Sequence, residues 1–277
     1  MRIFVLATAG LVLASCGSDD GITPDDTSDT DVSGNTNTDA NTGDDDDDIT
    51  NTVEKTANLS GIVTDASGSP LSDVNIRFCR GEQCRYVTTE AAGTYEFSET
   101  AVAPQSFEVV GPMGSGLATA FAPLNFASQE VRVIDVKLPV ESAGVNLGAA
   151  MAELDLGDLL ITMGTNDLTA PLFVDDATEA SATRIPEADW LPTDGVAGTV
   201  VAMWFLMPFD HHSDAGMNVR FDLNDLGLTG DVYRAYLGDY ATSMWIDLGE
   251  VTDGGGGVYE GASHLELTST IILVDES

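Results

Sequence analysis

Phe209-Asp210-His211-His212-Ser213-Asp214 is the one stretch of the chain that gathers side chains able to hold a transition metal or move a proton near neutral pH. Adjacent histidines on an extended strand point to opposite sides, and the third, His264, is remote in sequence and has no histidine four residues away. The stretch is therefore expected to be an exposed turn after the strand that precedes it. Asp222, Asn224, Asp225 and Asp231 carry oxygens that suit calcium, but Asp and Asn between strands are ordinary turn formers, and the turn reading is preferred. Ser115 in "GPMGSGL" stands between glycines without the G-x-S-x-G elbow of a serine hydrolase. Gly254 to Gly257 lack a following Lys-Ser or Lys-Thr and read as a hairpin rather than a phosphate cradle. The 46 carboxylates hold many candidate pairs for glycoside hydrolysis and single out none. No catalytic residue and no metal ligand is assigned.

The remaining reactive atom is a thiol at a seam. "LVLASCGSDD", residues 11–20, passes from an apolar run to acidic residues at Cys16. Arg2 supplies a positive start, and the twelve apolar or small residues of 3–14 suit a signal-peptide core but fall short of a bilayer of ~30 Å. With Leu13-Ala14-Ser15-Cys16 closing the run, this N-terminus resembles that of a bacterial lipoprotein precursor. The resemblance implies cleavage after residue 15, a diacylglyceryl thioether on Cys16 and a membrane held through that lipid. Each buried methylene contributes ~0.8 kcal/mol, so two or three chains hold a protein where one does not. Gly17, rather than Asp, resembles the outer-membrane form of lipoproteins from two-membrane bacteria, which implies the outer membrane or cell surface rather than the inner membrane.

Residues 17–54 explain the far side of the seam. They contain twelve Asp and one Glu, no base and no aromatic, with Asp44 to Asp48 unbroken. Such a stretch cannot bury enough apolar surface to offset its ordering entropy and is expected to be a disordered linker over 16–55. As a neutral flexible coil its 38 residues would span roughly 34 Å, and self-repulsion would lengthen it. Asp29, Asp31, Ser33 and Gly34 mimic the start of a calcium loop, but its twelfth position is Ala40, so only weak, diffuse calcium binding is expected.

The whole chain of 277 residues has net charge -36, and residues 55–277 alone hold 33 acids against nine bases. That field repels nucleic acid, which is excluded as a partner, and suits cations and saline surroundings. Aromatics are 7% of the chain while Gly, Thr, Val and Asp are frequent, favouring short strands and turns over long helices.

From residue 56 the pattern alternates with period two. Strands are expected at 59–64, 74–78, 84–89, 94–98, 106–110 and 130–138, with Val74, Ile76 and Phe78 on one face and Asn75 and Arg77 on the other. Gly61-Ile62-Val63, Asp65, Gly68, Pro70-Leu71, Asp73-Val74 and Gly93-Thr94-Tyr95-Glu96-Phe97 resemble the carboxypeptidase regulatory-like domain, a transthyretin-like sandwich. The resemblance covers roughly 57–139 and implies a non-catalytic spacer, adhesion or sugar-binding module. Nothing in it matches the zinc ligands or catalytic Glu of the associated enzymes. With Cys16 assigned to lipid, Cys79 and Cys84 flank a four-residue turn in an oxidising compartment, and a disulfide between them is expected; C-x-x-x-x-C lacks redox spacing.

Residues 145–277 repeat the grammar, with strands expected at 159–163, 199–207, 218–223, 232–237, 243–248 and 268–274, and a short helix over 147–156. Met203, Phe205 and Met207 alternate with Trp204 and Leu206, so 199–207 is apolar on both faces and central. The expected architecture is all-β: a signal peptide (1–15), the linker, and two antiparallel β-sandwich domains over 56–140 and 145–277. The expected function is a non-catalytic binding or structural module of the envelope, with a glycan or another envelope protein as partner and no cofactor. A glycan site predicts an exposed aromatic patch from Trp190, Trp204 or Trp245. The alternative is an envelope hydrolase or metal-dependent enzyme with its site in the C-terminal domain.

Overall fold

A computed structural model describes residues 56–147, 152–163, 168–171, 177–228, 230–262 and 265–277. Cys16, the linker and His264 lie outside these residues. Among the described residues twenty β-strands and two short 3-10 turns account for the regular structure, and no described helix is long and apolar enough to cross a membrane.

The first region carries β1 (Thr56–Thr64), β2 (Asn75–Arg80), β3 (Gln83–Thr88), β4 (Thr94–Ala101), β5 (Gln105–Val109), β6 (Ala120–Leu124), β7 (Val131–Val133) and β8 (Val136–Lys137). One sheet runs β4-β1-β7 with β8 extending along β1, and the other runs β3-β2-β5-β6. All pairs are antiparallel except those of β1 with β7 and β8, which are parallel. The inward rows interleave aromatics, with Phe78 5.1 Å from Phe97 and Tyr95 stacked 5.8 Å from Phe107. Val74, Ile76 and Phe78 are buried while Asn75 and Arg77 face out, as the alternation requires.

The expected strand over 130–138 is divided at Ile134-Asp135, and a glycine is the reason. At Gly61 an added Cβ would lie 1.9 Å from the Ile134 carbonyl oxygen, so only glycine lets the chain cross β1 there. Tyr95 donates its hydroxyl proton to that same carbonyl at 2.7 Å, and Asp135 accepts the Ile62 amide where the ladder is interrupted. Asp65 closes the first turn by accepting the Ser67 and Ser69 amides, an Asx arrangement that holds the hairpin without a further strand.

The second region carries β9 (Val145–Asn146), β10 (Ala152–Asp155), β11 (Leu159–Met163), β12 (Leu168–Thr169), β13 (Glu179–Arg184), β14 (Thr199–Met207), β15 (His212–Asp222), β16 (Val232–Asp239), β17 (Met244–Asp253), β18 (Val258–Glu260), β19 (Leu265–Leu267) and β20 (Thr270–Asp275). They form one hydrogen-bonded system ordered β10-β11-β15-β18-β17-β16-β20-β14-β13-β9, with β12 and β19 on β15. The expected helix over 147–156 is not what its described residues form: 152–155 is strand β10, paired with β11. Ladder bonds to a neighbour outweighed a weak local preference there, as short amphipathic runs allow.

Strands β14 and β20 explain their own sequences. Trp204 and Leu206 of β14, with Ile271 and Leu273 of β20, point into the second region's core. Met203 and Phe205, with Ile272 and Val274, point the other way and join the core cluster built by Phe78, Phe97 and Phe107. Both faces are therefore apolar because each meets a different set of side chains.

Candidate functional site

The outer face of β5 and β6 is covered rather than solvated, while Asn75 and Arg77 on the neighbouring β2 stay exposed. Directly paired residues place Arg77 beside Glu108, Cys79 beside Ser106, and Glu108 beside Phe121. Two segments of the second region lie on this face: Phe209-Asp210, after β14, and Tyr240 to Ser243, between β16 and β17. The Ser106 hydroxyl donates to the Tyr240 carbonyl at 2.7 Å and accepts from Ser243 at 2.9 Å. Phe121 lies 5.3 Å from Phe209 and 5.8 Å from Tyr240, ring to ring. Gly238 admits this contact, since a Cβ there would come within 2.9 Å of the Phe121 ring. Thr270 donates to the Phe121 carbonyl at 2.6 Å.

Cys79 and Cys84 are joined in a disulfide between directly paired residues of β2 and β3. Its sulfur has no proton to give, so the 2.8 Å contact is the Tyr240 hydroxyl donating to Cys79 Sγ.

Glu108 is the electrostatic centre of this seam. It is 2% exposed and its carboxylate is 3.4 Å from Arg77. Burial pushes its pKa up to about 7, the Arg77 cation opposes the rise, and the nearby Asp210 charge adds to it. Burial also raises Asp210, against the pull of His212 and His211. The Tyr240 hydroxyl is pushed up to about 12, first by burial and then by Glu108. Alternation with Phe107 and Val109 would put Glu108 on the solvent side, and no local pattern marks it or Tyr240. All of β5 is buried because the second region covers the sheet, which its own sequence does not signal.

The histidines separate as their adjacency requires. His211 is buried, with Nδ1 3.1 Å from the Phe209 carbonyl and Nε2 without a described partner. His212 is exposed, begins β15 and lies 3.7 Å from Asp210. Thr268 pins Asp210 and His211, accepting the His211 amide at its hydroxyl and the Asp210 amide at its carbonyl.

His212 opens onto a cleft of about 620 Å³. Asp239, Asp247 and Glu266 stand on its walls, and Leu237, Leu248 and Leu267 form its apolar part. Ile246 and Met244, on the same strand, remain substantially exposed at this end. Among the described residues no three His, Cys, Asp or Glu side chains converge closely enough to hold a metal ion.

The other sequence candidates fall into structural roles. Trp204 is buried, its indole N–H donating to Asp158 at 3.0 Å, and Trp190 is half-buried and donates to the Ile185 carbonyl at 2.9 Å. Trp245 is half-buried against the shared core, on the face of β17 opposite Met244 and Ile246. The three indoles therefore form no exposed aromatic patch, because each ring is worth more as core than as a platform in a chain this poor in aromatics. Asp222 accepts both the amide and the side-chain N–H of Asn224, an ordinary Asx turn, and Gly254 to Gly257 turn β17 into β18. Ser115 lies in an exposed turn, its hydroxyl accepting the Leu117 amide.

No family model matches the chain, and no curated protein does. Among solved structures, a Streptococcal ancillary pilin is 12% identical over 79% of this chain and 54% of its own, with a TM-score of 0.28. A candidate carbohydrate-binding protein from Bacteroides uniformis is 11% identical over 79% of this chain and 99% of its own, with a TM-score of 0.25. Catechol 1,2-dioxygenase from Acinetobacter is 15% identical over 34% of this chain and 56% of its own, with a TM-score of 0.27. The chain thus spans about half the length of the pilin and of the dioxygenase. At these TM-scores none of them sets the ligand or activity of this chain.

Proposed function

We propose that this chain is a lipid-anchored protein of the bacterial cell envelope whose all-β body is a non-catalytic binding or structural module. The observation that carries the anchoring half is the residue order at the N-terminus: a basic start, a short apolar run, Leu13-Ala14-Ser15-Cys16, then a strongly acidic stretch. Lipid on Cys16 holds the body at the membrane, and the acidic stretch spaces it from the surface, on the outer membrane or cell surface. Residues 56–140 serve as a carboxypeptidase regulatory-like module, a reading supported by Gly61 and Tyr95, which together build the chain crossing at Ile134.

The binding half rests on the cleft beside His212. Its carboxylates accept O–H or N–H groups, and its leucines cover the apolar face of a sugar ring or peptide side chain, which suits a glycan or an envelope protein. An envelope hydrolase would draw on the raised carboxyls Glu108 and Asp210. Glu108 is sealed beneath the second region, however, with no path for a substrate to its carboxyl. Mass spectrometry of the protein purified from membranes tests the anchoring: the expected N-terminus is residue 16 with acyl chains on its sulfur, and Cys16→Ser is expected to move the protein to the soluble fraction. An unmodified residue 16 in the native protein overturns the reading.

A further inference from the structure

The described residues carry eight basic side chains, and six of them lie within 4 Å of a carboxylate. Arg77 meets Glu108, Arg132 meets Glu130 and Asp194, Lys137 meets Asp189, Arg184 meets Asp158, Arg220 meets Glu153, and Arg234 meets Asp247, Glu250 and Glu276. Arg80 and Arg85 are the two that no described carboxylate approaches, in a chain whose net charge is -36. Both line one groove of about 200 Å³, with Phe78, Gln83, Thr100 and Gln105. Glu99 stands in the same groove but more than 4 Å from either guanidinium.

The groove runs between two strand edges. β3 ends one sheet of the first region and β4 ends the other, and among the described residues neither is paired with a further strand beyond it. Arg85 crosses the gap, donating to the Ser98 carbonyl at 2.8 Å with its guanidinium 5.6 Å from the Phe97 ring centre. An open edge offers a row of unpaired amides and carbonyls to an extended segment. Guanidinium groups prefer carboxylates in a planar, paired geometry, so the two arginines select acidic side chains on whatever lies along the edge.

We propose that the outer edge of β3, Gln83–Thr88, is a docking edge for an extended acidic segment of another envelope protein. That segment adds as a strand to β3 and seats carboxylates on Arg80 and Arg85. An anionic polysaccharide could use the arginines but has no peptide repeat to continue the ladder along the edge, and a second copy of this chain brings its own charge of -36. This surface is separate from the cleft at His212. It is measured on the protein in detergent solution, so its failure would leave the anchoring by Cys16 untouched.

The test uses the full lipidated chain with a dye-labelled peptide, Thr-Glu-Val-Glu-Val-Glu-Thr, its Lys-for-Glu counterpart, and polygalacturonate. The acidic peptide is expected to bind in fluorescence anisotropy and to slow amide hydrogen exchange across residues 83–88. Arg80→Glu is expected to weaken it tenfold or more, with Arg80→Lys falling between. Arg80 is exposed, and an unchanged melting temperature for each variant shows that the fold is intact. Absence of acidic-peptide binding at millimolar concentration, equal binding of the basic peptide, or binding of polygalacturonate without protection of 83–88 would each overturn the proposal.

Discussion

The two strand-rich regions reach stability by different routes. Residues 56–140 make a pair of small sheets around an aromatic core in which Phe78, Tyr95, Phe97 and Phe107 interlock, with one hairpin closed by a disulfide. Residues 145–277 make a single hydrogen-bonded system of long and short strands around a mostly aliphatic interior, and two of its strands, β14 and β20, serve the neighbouring core with their second face. In the first region β1, β2 and β4 can be read from their own alternation because one face of each is dry and the other meets water. The second depends on what lies across it, and the seam through Glu108 and Tyr240 is where that dependence is concentrated.

The most severe way to break the comparison is Phe205→Ala. Phe205 is 2% exposed in the core cluster that both regions share, and truncating a buried Phe costs about 3–5 kcal/mol. Calorimetry is expected to show one transition moving to lower temperature as a unit; two transitions, with only one displaced, would mean the regions unfold independently.

Acidity probes the seam itself. The Glu108 carboxyl ordinarily titrates near 4.5 and is pushed up to about 7 in the fold, so the folded chain keeps a proton that the unfolded chain has already lost. The stability this contributes is complete below about pH 4.5 and disappears as pH rises to about 7, a change on the order of 3 kcal/mol. Urea unfolding of Glu108→Gln between pH 4 and 8 is expected to lack that slope. A slope equal to the wild type's would place its origin elsewhere.

Next in size is the disulfide. Replacing Cys79 and Cys84 by Ala opens a loop of only a few residues, and chain entropy puts the loss at about 2 kcal/mol. Because Tyr240 donates to Cys79 Sγ, the loss is expected to appear in the second region as well, read as faster amide exchange across 239–244. Exchange confined to β2 and β3 would show that the contact transmits nothing.

Asp194 gives the smallest effect. It accepts the Asn125 amide at 2.8 Å and pairs with Arg132, tying the two regions at their other side. Both side chains are about one-fifth exposed, so Asp194→Ala is expected to lower stability by ~1 kcal/mol, with the larger part at low salt. A loss above that of the disulfide variant would reverse the order of the two contacts.

Legibility in the sequence followed solvent. Val74, Ile76 and Phe78 against Asn75 and Arg77 announced their strand because water lies on one side of it, and 159–163 and 199–207 were found to the residue. β6 escaped notice because "AFAPL" is buried at every position and has no period to detect. β10, β12, β18 and β19 are two to four residues long and exist by virtue of the neighbour each pairs with. Of the candidate site, the opposed histidines and the Cys79 to Cys84 link followed from spacing, whereas the cleft joins Asp239, Asp247 and Glu266 with His212 from four different strands.

What the amino-acid order settles alone is chemistry that travels with the chain: an acidic field of -36, a strand alternation and the placement of Cys16 between grease and charge. Tertiary structure alone decided which charges are dry. Glu108 reads as a solvent-facing residue until Tyr240 and Phe209 close over it, because burial is a property of the neighbour brought across the sheet and not of the strand that carries the side chain.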